Sequence, residues 1–317
     1  MDAIAHAAAH LQRGGLVAIP TETVYGLAAV ARDCDAVARV FEAKGRPSDN
    51  PLIVHASTAD MARECSALWP DAAVALARAF WPGPLTLVLP KAEWVPDIVT
   101  AGGATVAVRV PRHPVALELI EAVGEPLVAP SANRSGYVSP TTAGHVRGVW
   151  PEDEVVVLDG GACAVGLEST VLAVESAGLR VLRPGVLGGD ELAKAAGVPL
   201  LDSETGGCSP VASPGVVGPH YQPTLPLVLA SSLAEADTWM ALGPAFVISP
   251  PGVPVAVDPP HQSMPMPADA EAYGRELYAA LRDADASGAS RIVVCAPTAE
   301  GAVWDAVRER LVRAAAV

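Results

Sequence analysis

Hydrophobic and polar positions follow two different periods along the chain, and the change of period separates predicted strands from predicted helices. Largely apolar runs at 16–20 and 85–89 are typical of buried strands, whereas apolar residues three and four apart at 35–43 and 71–80 predict helices. Further strands are predicted at 52–55, 105–110, 127–129, 155–158, 170–174 and 179–183, and further helices at 2–13, 58–68, 114–123, 141–148 and 189–196. Because the two types interleave without a strict rhythm, the pattern favours a mixed sheet in an α/β domain.

A proline-rich stretch divides the chain into two units. Five prolines and no charged residue lie between Ser209 and Pro226, a composition that predicts an extended, semi-rigid connection. We therefore predict a large α/β domain over 1–209, a linker or lid over 210–226 and a small accessory domain over 227–317. In the accessory domain, strands are predicted at 225–230, 244–249 and 291–296, helices at 233–240, 268–284 and 300–315, and a loop at 250–268. This alternation indicates a small Rossmann-like α/β unit with a parallel sheet.

Composition narrows the classes of partner. The 317 residues exceed the ~250–300 at which a single core usually stops growing, which agrees with two domains. Against 35 acidic residues stand 21 basic ones, so the net charge is −14. A surface that binds nucleic acid or an anionic membrane by neutralising phosphates is therefore disfavoured.

The cysteines and the apolar runs indicate a cytoplasmic protein. The five cysteines lie far apart without a CxxC pair, which fits neither a zinc site nor a disulfide framework. The first ten residues carry an acid and two histidines, unlike a signal peptide. No apolar run approaches the ~18 residues of a membrane span, so no membrane partner is expected.

The first candidate for binding is PTETVYGLA at 20–28, directly after a predicted strand. Its threonines and Glu22 offer hydroxyls and a carboxylate where the strand ends, and Gly26 allows the backbone to turn close to a ligand. The same residue types also suit a simple turn followed by a helix cap, and spacing alone does not separate the two interpretations.

The second candidate is the loop from Lys44 to Pro51, at the end of a predicted helix. Gly45 and Pro47 break the helix, so Lys44 and Arg46 can converge on one anionic, phosphorylated ligand. The alternative is that both cations merely complement the helix C-terminus. Because the chain has only three lysines, the sequence favours the binding interpretation.

Two further segments and the linker add polar groups. APSANRSG at 129–136 is a polar loop of the kind that presents hydroxyls and N–H groups to phosphate or ribose, although such loops are also common as turns. LESTV at 167–171 and LRPG at 182–185 predict a hairpin that brings a hydroxyl and a guanidinium together, unless the hairpin is simply solvated. A His-Tyr pair at 220–221 fits a lid, or merely packs on the domain.

The usual catalytic motifs are missing from the sequence. It contains no GxSxG, HExxH or Walker sequence. The remaining hydroxyls, amides and cations suit the binding of a nucleotide and a small polar substrate, with catalysis by positioning and electrostatics.

Seven motifs in order resemble the YrdC-like family, in its long two-domain form of threonylcarbamoyl-AMP synthases. They are PTETVYGL, KGRPSDNPLIVH, VAVRVPRHP, APSANRSG, LESTV, LRPG and SPGVVGPHYQP, and they run from residue 20 to 223. The resemblance implies a twisted mixed sheet around a large cavity, with 1–209 as the catalytic domain. The unit from 225 onward resembles the family's accessory domain only by position, size and rhythm.

The resemblance also implies the site residues. For L-threonine they are Thr23, His55, Arg109, Ala129 and Ser169. For ATP they are Lys44, Arg46, Asn50, Thr105, Ser131, Asn133, Ser139, Arg183, His220 and Tyr221, with Lys44 and Arg46 in the catalytic role. The family's reaction joins L-threonine, bicarbonate and ATP into threonylcarbamoyl-AMP and pyrophosphate, with Mg²⁺ accompanying ATP and no metal site on the protein itself.

The implied product serves the threonylcarbamoyladenosine modification of tRNA through a downstream transferase complex, without stable binding of nucleic acid by this chain. Two alternatives follow from related proteins. One is an RNA-binding module, which the net charge of −14 disfavours. The other is a carbamoyl transferase of hydrogenase maturation. Such an enzyme needs additional zinc-binding and acylphosphatase-like modules, for which this chain has neither the cysteines nor the length.

Overall fold

A nine-stranded mixed sheet forms the centre of the first unit of the structure, a computed structural model that describes residues 3–202 and 220–316. Its strands are β1 (Val17–Ile19), β2 (Gly26–Val30), β3 (Ile53–His55), β4 (Leu85–Pro90), β5 (Thr105–Arg109), β6 (Leu127–Val128), β7 (Val156–Val157), β8 (Thr170–Glu175) and β9 (Gly178–Arg183). Their order is β7-β1-β2-β6-β3-β5-β4-β8-β9. Three pairs are parallel (β1 with β7, β3 with β5, β4 with β8) and the other five are antiparallel, which confirms the predicted mixed sheet.

Helices cover both faces of this sheet. They are α1 (Ala3–Gln12), α2 (Cys34–Lys44), α3 (Ala59–Glu64), α4 (Asp71–Phe80), α5 (Asp97–Thr100), α6 (Pro114–Val123), α7 (Ala143–Arg147) and α8 (Gly189–Ala196). Leu11 of α1 and Leu119 of α6 belong to one core cluster, whereas Val40 of α2, Leu76 of α4 and Leu192 of α8 belong to a larger one. The apolar face that each helix presents at three- and four-residue spacing is therefore the face that it buries.

The C-terminal unit is a smaller, wholly parallel sheet. Its strands are β10 (Leu227–Ala230), β11 (Ala245–Pro251), β12 (Gln262–Met266) and β13 (Arg291–Cys295), in the order β10-β13-β11-β12. Its helices are α9 (Leu233–Met240), α10 (Ala270–Asp285) and α11 (Ala302–Ala315). One of its core clusters contains residues of α10 and α11 and also Leu167 and Val138 of the first unit, so the two units share a continuous apolar contact.

The predicted helix 35–43 is α2, which begins after its N-cap Asp33, whose side chain accepts a hydrogen bond from the backbone N–H of Ala36. Two local expectations were wrong. Strand β2 was not predicted, because its small residues look like a turn extension rather than an apolar strand. The segment 250–268 was predicted as a loop but contains β12, an exposed edge strand that tolerates Pro265 because one of its sides is unpaired.

The predicted boundary at 209 and most of the predicted linker, 210–219, lie outside the described residues, so that division of the chain stays a prediction. The described part of the linker begins at His220 and leads to β10. Within residues 3–202 and 220–316, no helix is both long and apolar enough to cross a membrane.

Candidate active site

A cavity opens where several strands of the large sheet end, and the described end of the linker forms part of its wall. It collects residues from the three polar loops and from the hairpin that the sequence singled out. Of the predicted site residues, the cavity is lined by Thr23, Arg46, His55, Arg109, Ala129, Ser131, Ser169, Arg183, His220 and Tyr221. At its edge the chain is tightly packed, since a Cβ atom on Gly26 would lie 3.0 Å from the Cβ of Ala129. All five residues predicted for threonine thus meet at one cavity.

Arg109 lies at the end of β5 and is held from three directions. Its Nη2 pairs with Glu22 Oε1 at 2.8 Å, its Nη1 donates to Thr23 Oγ1 at 2.9 Å, and its Nε donates to the carbonyl of Gly83 at 3.1 Å. Glu22 is in turn anchored by the backbone N–H of Arg112 at 3.0 Å. Burial would raise the pKa of Glu22, but Arg109 and these hydrogen bonds outweigh burial and lower it. The guanidinium therefore has a fixed orientation and a permanent counter-ion.

His55 ends β3 directly beside Arg109, which is its register partner on β5. Burial, together with the charge of Arg109, lowers the pKa of His55 to about 3, so the imidazole is neutral at physiological pH. Its Nδ1 lies 3.2 Å from the carbonyl of Ile53. A neutral imidazole beside a guanidinium offers polar contacts to a small zwitterion without adding a second charge.

Arg46 follows the end of α2, where Gly45 adopts a left-handed conformation (φ 61°) and stops the helix as predicted. Its guanidinium donates to Asn50 Oδ1 and to the carbonyl of Pro51, both at 2.7 Å. Burial and the nearby Arg183 lower the pKa of Arg46 to about 10. Arg183 also lines the cavity, and two like charges in one cavity favour the binding of an anion.

Lys44 does not line the cavity, although it was predicted beside Arg46. Its Nζ is buried beneath the loop at 129–136 and donates to the carbonyls of Ser131 and Asn133, both at 2.5 Å. Burial, with Arg46 and Arg134, holds its pKa well below the usual range. Lys44 therefore shapes the loop that carries Ser131.

The hairpin of β8 and β9 brings Ser169 and Arg183 together, as the sequence predicted. Arg183 Nη2 donates to the Ser169 carbonyl at 3.1 Å and to its Oγ at 3.2 Å, and both side chains are buried. Ser169 Oγ also lies 2.7 Å from Thr86 Oγ1 on β4. The alternative of a solvated hairpin is thereby excluded.

His220 and Tyr221 form part of the cavity wall, and their role as a lid stays a prediction. Their ring centroids are 4.6 Å apart, and Tyr221 stacks on Tyr278 of α10 at 5.6 Å. Neither ring nitrogen of His220 has a hydrogen-bond partner among the described residues, although the side chain is only 7% exposed. Burial lowers the pKa of His220 to about 4, so it is neutral at pH 7.

Four further predicted nucleotide contacts lie outside the cavity lining. Asn50 accepts from Arg46, and Asn133 donates to the carbonyls of Arg134 and Tyr137. Ser139 donates to Glu168, and Thr105 lies four residues before Arg109 on β5, or about 13 Å along the strand. Asn50, Asn133 and Ser139 therefore bind other protein groups near the cavity. Thr105 lies at the opposite end of β5 from Arg109.

Two carboxylates near the cavity were missed as site residues. Glu22 holds Arg109, and Glu168 precedes Ser169 in the cavity wall. Both carboxylates belong to motifs that the sequence analysis singled out, and this was the signal that could have found them. Their partners, Arg109 and Arg310, are too distant in sequence to be inferred. Each carboxylate is engaged by an arginine. Among the described residues no group of three His, Cys, Asp or Glu could hold a metal ion.

Two family models match the chain. The model described as telomere recombination (Sua5/YciO/YrdC) matches residues 9–185, and the model described as threonylcarbamoyl-AMP synthase, C-terminal domain, matches residues 186–316. The chain belongs to the Sua5/YciO/YrdC family. The resemblance inferred from the seven motifs is thereby confirmed, including the two-domain architecture.

Relatives at 40–50% identity carry a consistent name. Proteins named threonylcarbamoyl-AMP synthase from Pyrococcus abyssi and Bacillus subtilis are 46% and 44% identical over 70% and 73% of this chain. The alignments span 66% and 68% of those relatives, about two thirds of their length. A crystal structure of Pyrococcus abyssi Sua5 complexed with L-threonine covers 98% of this chain and 94% of its own, at 38% identity and a TM-score of 0.88. The predicted fold is confirmed in both units.

Proposed function

We propose that this protein is an L-threonylcarbamoyladenylate synthase, which makes threonylcarbamoyl-AMP and pyrophosphate from L-threonine, bicarbonate and ATP. The observation that carries the proposal is one cavity with two separate cationic groups. Arg109, with Thr23 and His55, forms the first, and Arg46 with Arg183 forms the second. The names of the relatives and the threonine complex of Pyrococcus abyssi Sua5 support the same activity.

The first group suits the amino acid. Arg109 is fixed by Glu22, Thr23 and Gly83 and would hold the threonine carboxylate through charge-assisted hydrogen bonds. The neutral His55 and the hydroxyl of Ser169 complete the polar contacts, and the backbone of Ala129 closes the pocket.

The second group suits the triphosphate. When the carbamate of threonine attacks the α-phosphorus of ATP, negative charge spreads over the departing pyrophosphate. Arg46 and Arg183 both line the cavity, and the charge of Arg183 lowers the pKa of Arg46, so both guanidiniums are placed to stabilise that charge. Ser131, on the loop that Lys44 supports, adds a hydroxyl. This role for Lys44 is indirect, in contrast to the phosphate contact that the resemblance implies.

The linker would protect the unstable intermediate. A carbamate loses carbon dioxide readily in water, and His220 with Tyr221 covers the cavity with two aromatic rings. Because both nitrogens of His220 are neutral and without a protein partner in the described residues, they remain available for a phosphate or ribose hydroxyl.

Mg²⁺ is proposed as part of the substrate and not as a resident ion. Glu168, the acid in the cavity lining, and Glu22, which holds Arg109, are both paired with arginine, so neither offers an uncommitted carboxylate. Mg²⁺ would therefore arrive on the phosphates of ATP. The product would pass to a tRNA threonylcarbamoyl transferase complex, and the net charge of −14 argues against stable binding of tRNA by this chain itself.

The deciding experiment measures pyrophosphate release by the purified protein, with threonine, bicarbonate or ATP omitted in turn and the product identified by mass spectrometry. We expect release only with all three substrates, together with a mass that matches threonylcarbamoyl-AMP. Release that ignores the omission of threonine and bicarbonate would contradict the proposal, because it would indicate simple ATP hydrolysis.

A further inference from the structure

Two side chains of the C-terminal unit reach into the wall of the candidate active site. Arg310 of α11 and Tyr278 of α10 are both fully buried, and both contact Glu168. Arg310 Nε lies 3.3 Å from Glu168 Oε2, and the Tyr278 hydroxyl donates to the same oxygen at 2.8 Å. The other carboxylate oxygen accepts from Ser139 at 2.7 Å. Glu168 is therefore held chiefly by residues more than 100 positions away, in the other unit.

Arg310 also fastens the opposite strand of the hairpin. Its Nη1 donates to the carbonyl of Pro184 at 2.6 Å, directly after Arg183. One guanidinium thus binds the residue before Ser169 and the residue after Arg183. Because Arg183 donates to Ser169, the three contacts together fix the geometry of both cavity residues.

The charge of Glu168 makes this contact important for an anionic ligand. Glu168 lines the cavity and is 7% exposed. Burial would raise its pKa, but Arg310 and Arg183, helped by Ser139 and Tyr278, outweigh burial and hold the pKa below its ordinary value. The carboxylate is therefore ionised, and without Arg310 its charge in a medium of low dielectric would repel a polyphosphate.

Close packing leaves little freedom at this contact. A Cβ atom on Gly166 would lie 2.5 Å from the Cα of Arg275 in α10, and one on Gly274 would lie 2.9 Å from Leu167 Cδ1. The ring of Tyr278 stacks on the ring of Tyr221 in the linker. The guanidinium of Arg310 lies 5.7 Å from the centre of the Tyr221 ring. The contact of the C-terminal unit is thus continuous with the described end of the linker.

We infer that Arg310, assisted by Tyr278, is a positioning residue for the phosphate-binding part of the cavity. The C-terminal unit completes the active site by neutralising Glu168 and fixing the hairpin that presents Ser169 and Arg183. This inference rests on the proposed function for the identity of the ligand as ATP. It gives the C-terminal unit a role in ATP binding that its parallel sheet alone does not suggest.

The test is a double-mutant cycle with Arg310→Met, Glu168→Gln and the double variant. Arg310→Met removes the arginine that contacts the buried carboxylate of Glu168, so we expect the KM for ATP to rise about tenfold or more, with the KM for threonine changed less than about threefold. The double variant removes both charges of this pair and leaves Glu309, which Arg310 also contacts, paired with Arg313. Its KM for ATP is expected to return to within about threefold of the wild-type value. Arg308→Met on the same helix is the matched control, because the guanidinium of Arg308 donates to Pro297, Ala299 and Asp305, all of them in the C-terminal unit.

Tyr278→Phe covers the case in which Arg310→Met does not fold. It removes one hydrogen bond from Glu168 and keeps the ring stacked on Tyr221, so we expect the KM for ATP to rise about threefold or more at an unchanged KM for threonine. Three results would overturn the inference: an unchanged KM for ATP in both variants, an equal rise for both substrates, or a double variant no better than Arg310→Met.

Calorimetric binding of inorganic pyrophosphate to the same variants separates this inference from the proposed function. If the wild-type protein makes no threonylcarbamoyl-AMP but the variants lose and regain pyrophosphate affinity as described, the proposed function fails and the positioning role stands. If synthesis occurs but neither ATP nor pyrophosphate affinity follows the cycle, only the positioning role fails. A wild-type protein that binds no pyrophosphate would also overturn the positioning role.

Discussion

Glu22 and Arg109 form an ion pair with a distance of 2.8 Å between Oε1 and Nη2, although their side chains are only 6% and 4% exposed. The pair joins the first polar loop to the end of β5, 87 residues later in the sequence. Removing one member of a buried pair leaves the other charge without a counter-ion. The two residues therefore have to be considered together in any account of the threonine pocket.

Glu22→Gln is expected to lower the free energy of unfolding by about 3–5 kcal/mol, because it leaves Arg109 as an unpaired buried charge. Chemical denaturation followed by circular dichroism measures this change. Glu125→Gln provides the control, since Glu125 pairs with Arg32 where both side chains are 45% exposed, and it is expected to cost at most about 1 kcal/mol. Equal effects of the two substitutions would contradict the assignment of a buried pair.

Arg46→Met is expected to raise the KM for ATP about tenfold or more, because charge-assisted hydrogen bonds contribute about 1.5–3 kcal/mol each. The KM for threonine should change little, since Arg46 is not among the groups that hold Arg109. Steady-state kinetics with each substrate varied in turn measures both constants. Arg63→Met, on the exposed surface of α3, is the control, and a similar rise there would show a general effect of losing positive charge.

His55→Gln is expected to make the protein less sensitive to acid. The unfolded chain binds a proton at this histidine below about pH 6.5, whereas the folded protein binds it only near pH 3, so acid favours the unfolded state between these values. Between pH 7 and pH 5, protonation of this histidine in the unfolded chain lowers the free energy of unfolding of the wild-type protein by about 2 kcal/mol. Denaturation curves at the two pH values should therefore differ by about 2 kcal/mol less in the variant; an unchanged difference would mean that His55 titrates normally.

His220→Ala is expected to reduce kcat about tenfold while leaving the dissociation constant for threonine within about twofold of the wild-type value. The substitution opens the cavity wall on the linker side, and His220 is not among the groups that hold Arg109. Kinetics and calorimetry on the same preparation test both expectations. A loss of threonine affinity without a fall in kcat would contradict the interpretation of the linker as a cover.

Local sequence signals predicted most elements of the fold and the residues at their ends. Helix α2 is an example, because its apolar spacing and the break at Gly45 are both contained in a dozen residues. Strand β12 was missed for the opposite reason. Its residues are mostly exposed, so their pattern carries no apolar run that would indicate a strand.

The candidate site was predictable as far as its motifs extend. The sequence predicted that Ser169 and Arg183 lie close together, because both belong to one hairpin. It could not assign Glu168 to Arg310, since 142 residues separate them and the contact depends on how two independently patterned units dock. The position of Lys44 under its loop was likewise set by packing, which a motif does not encode.

The burial of the cavity's arginines has a consequence for the kinetics of ATP capture. With a net charge of −14, the protein surface repels a polyphosphate at long range, whereas the half-buried Arg46 and the buried Arg183 line the cavity and attract it only over short distances. The Debye length is about 8 Å at physiological ionic strength, so salt screens the long-range repulsion more strongly than the short-range attraction. The association rate of ATP should therefore increase as salt is added, the reverse of the behaviour of enzymes that steer their anionic substrates electrostatically.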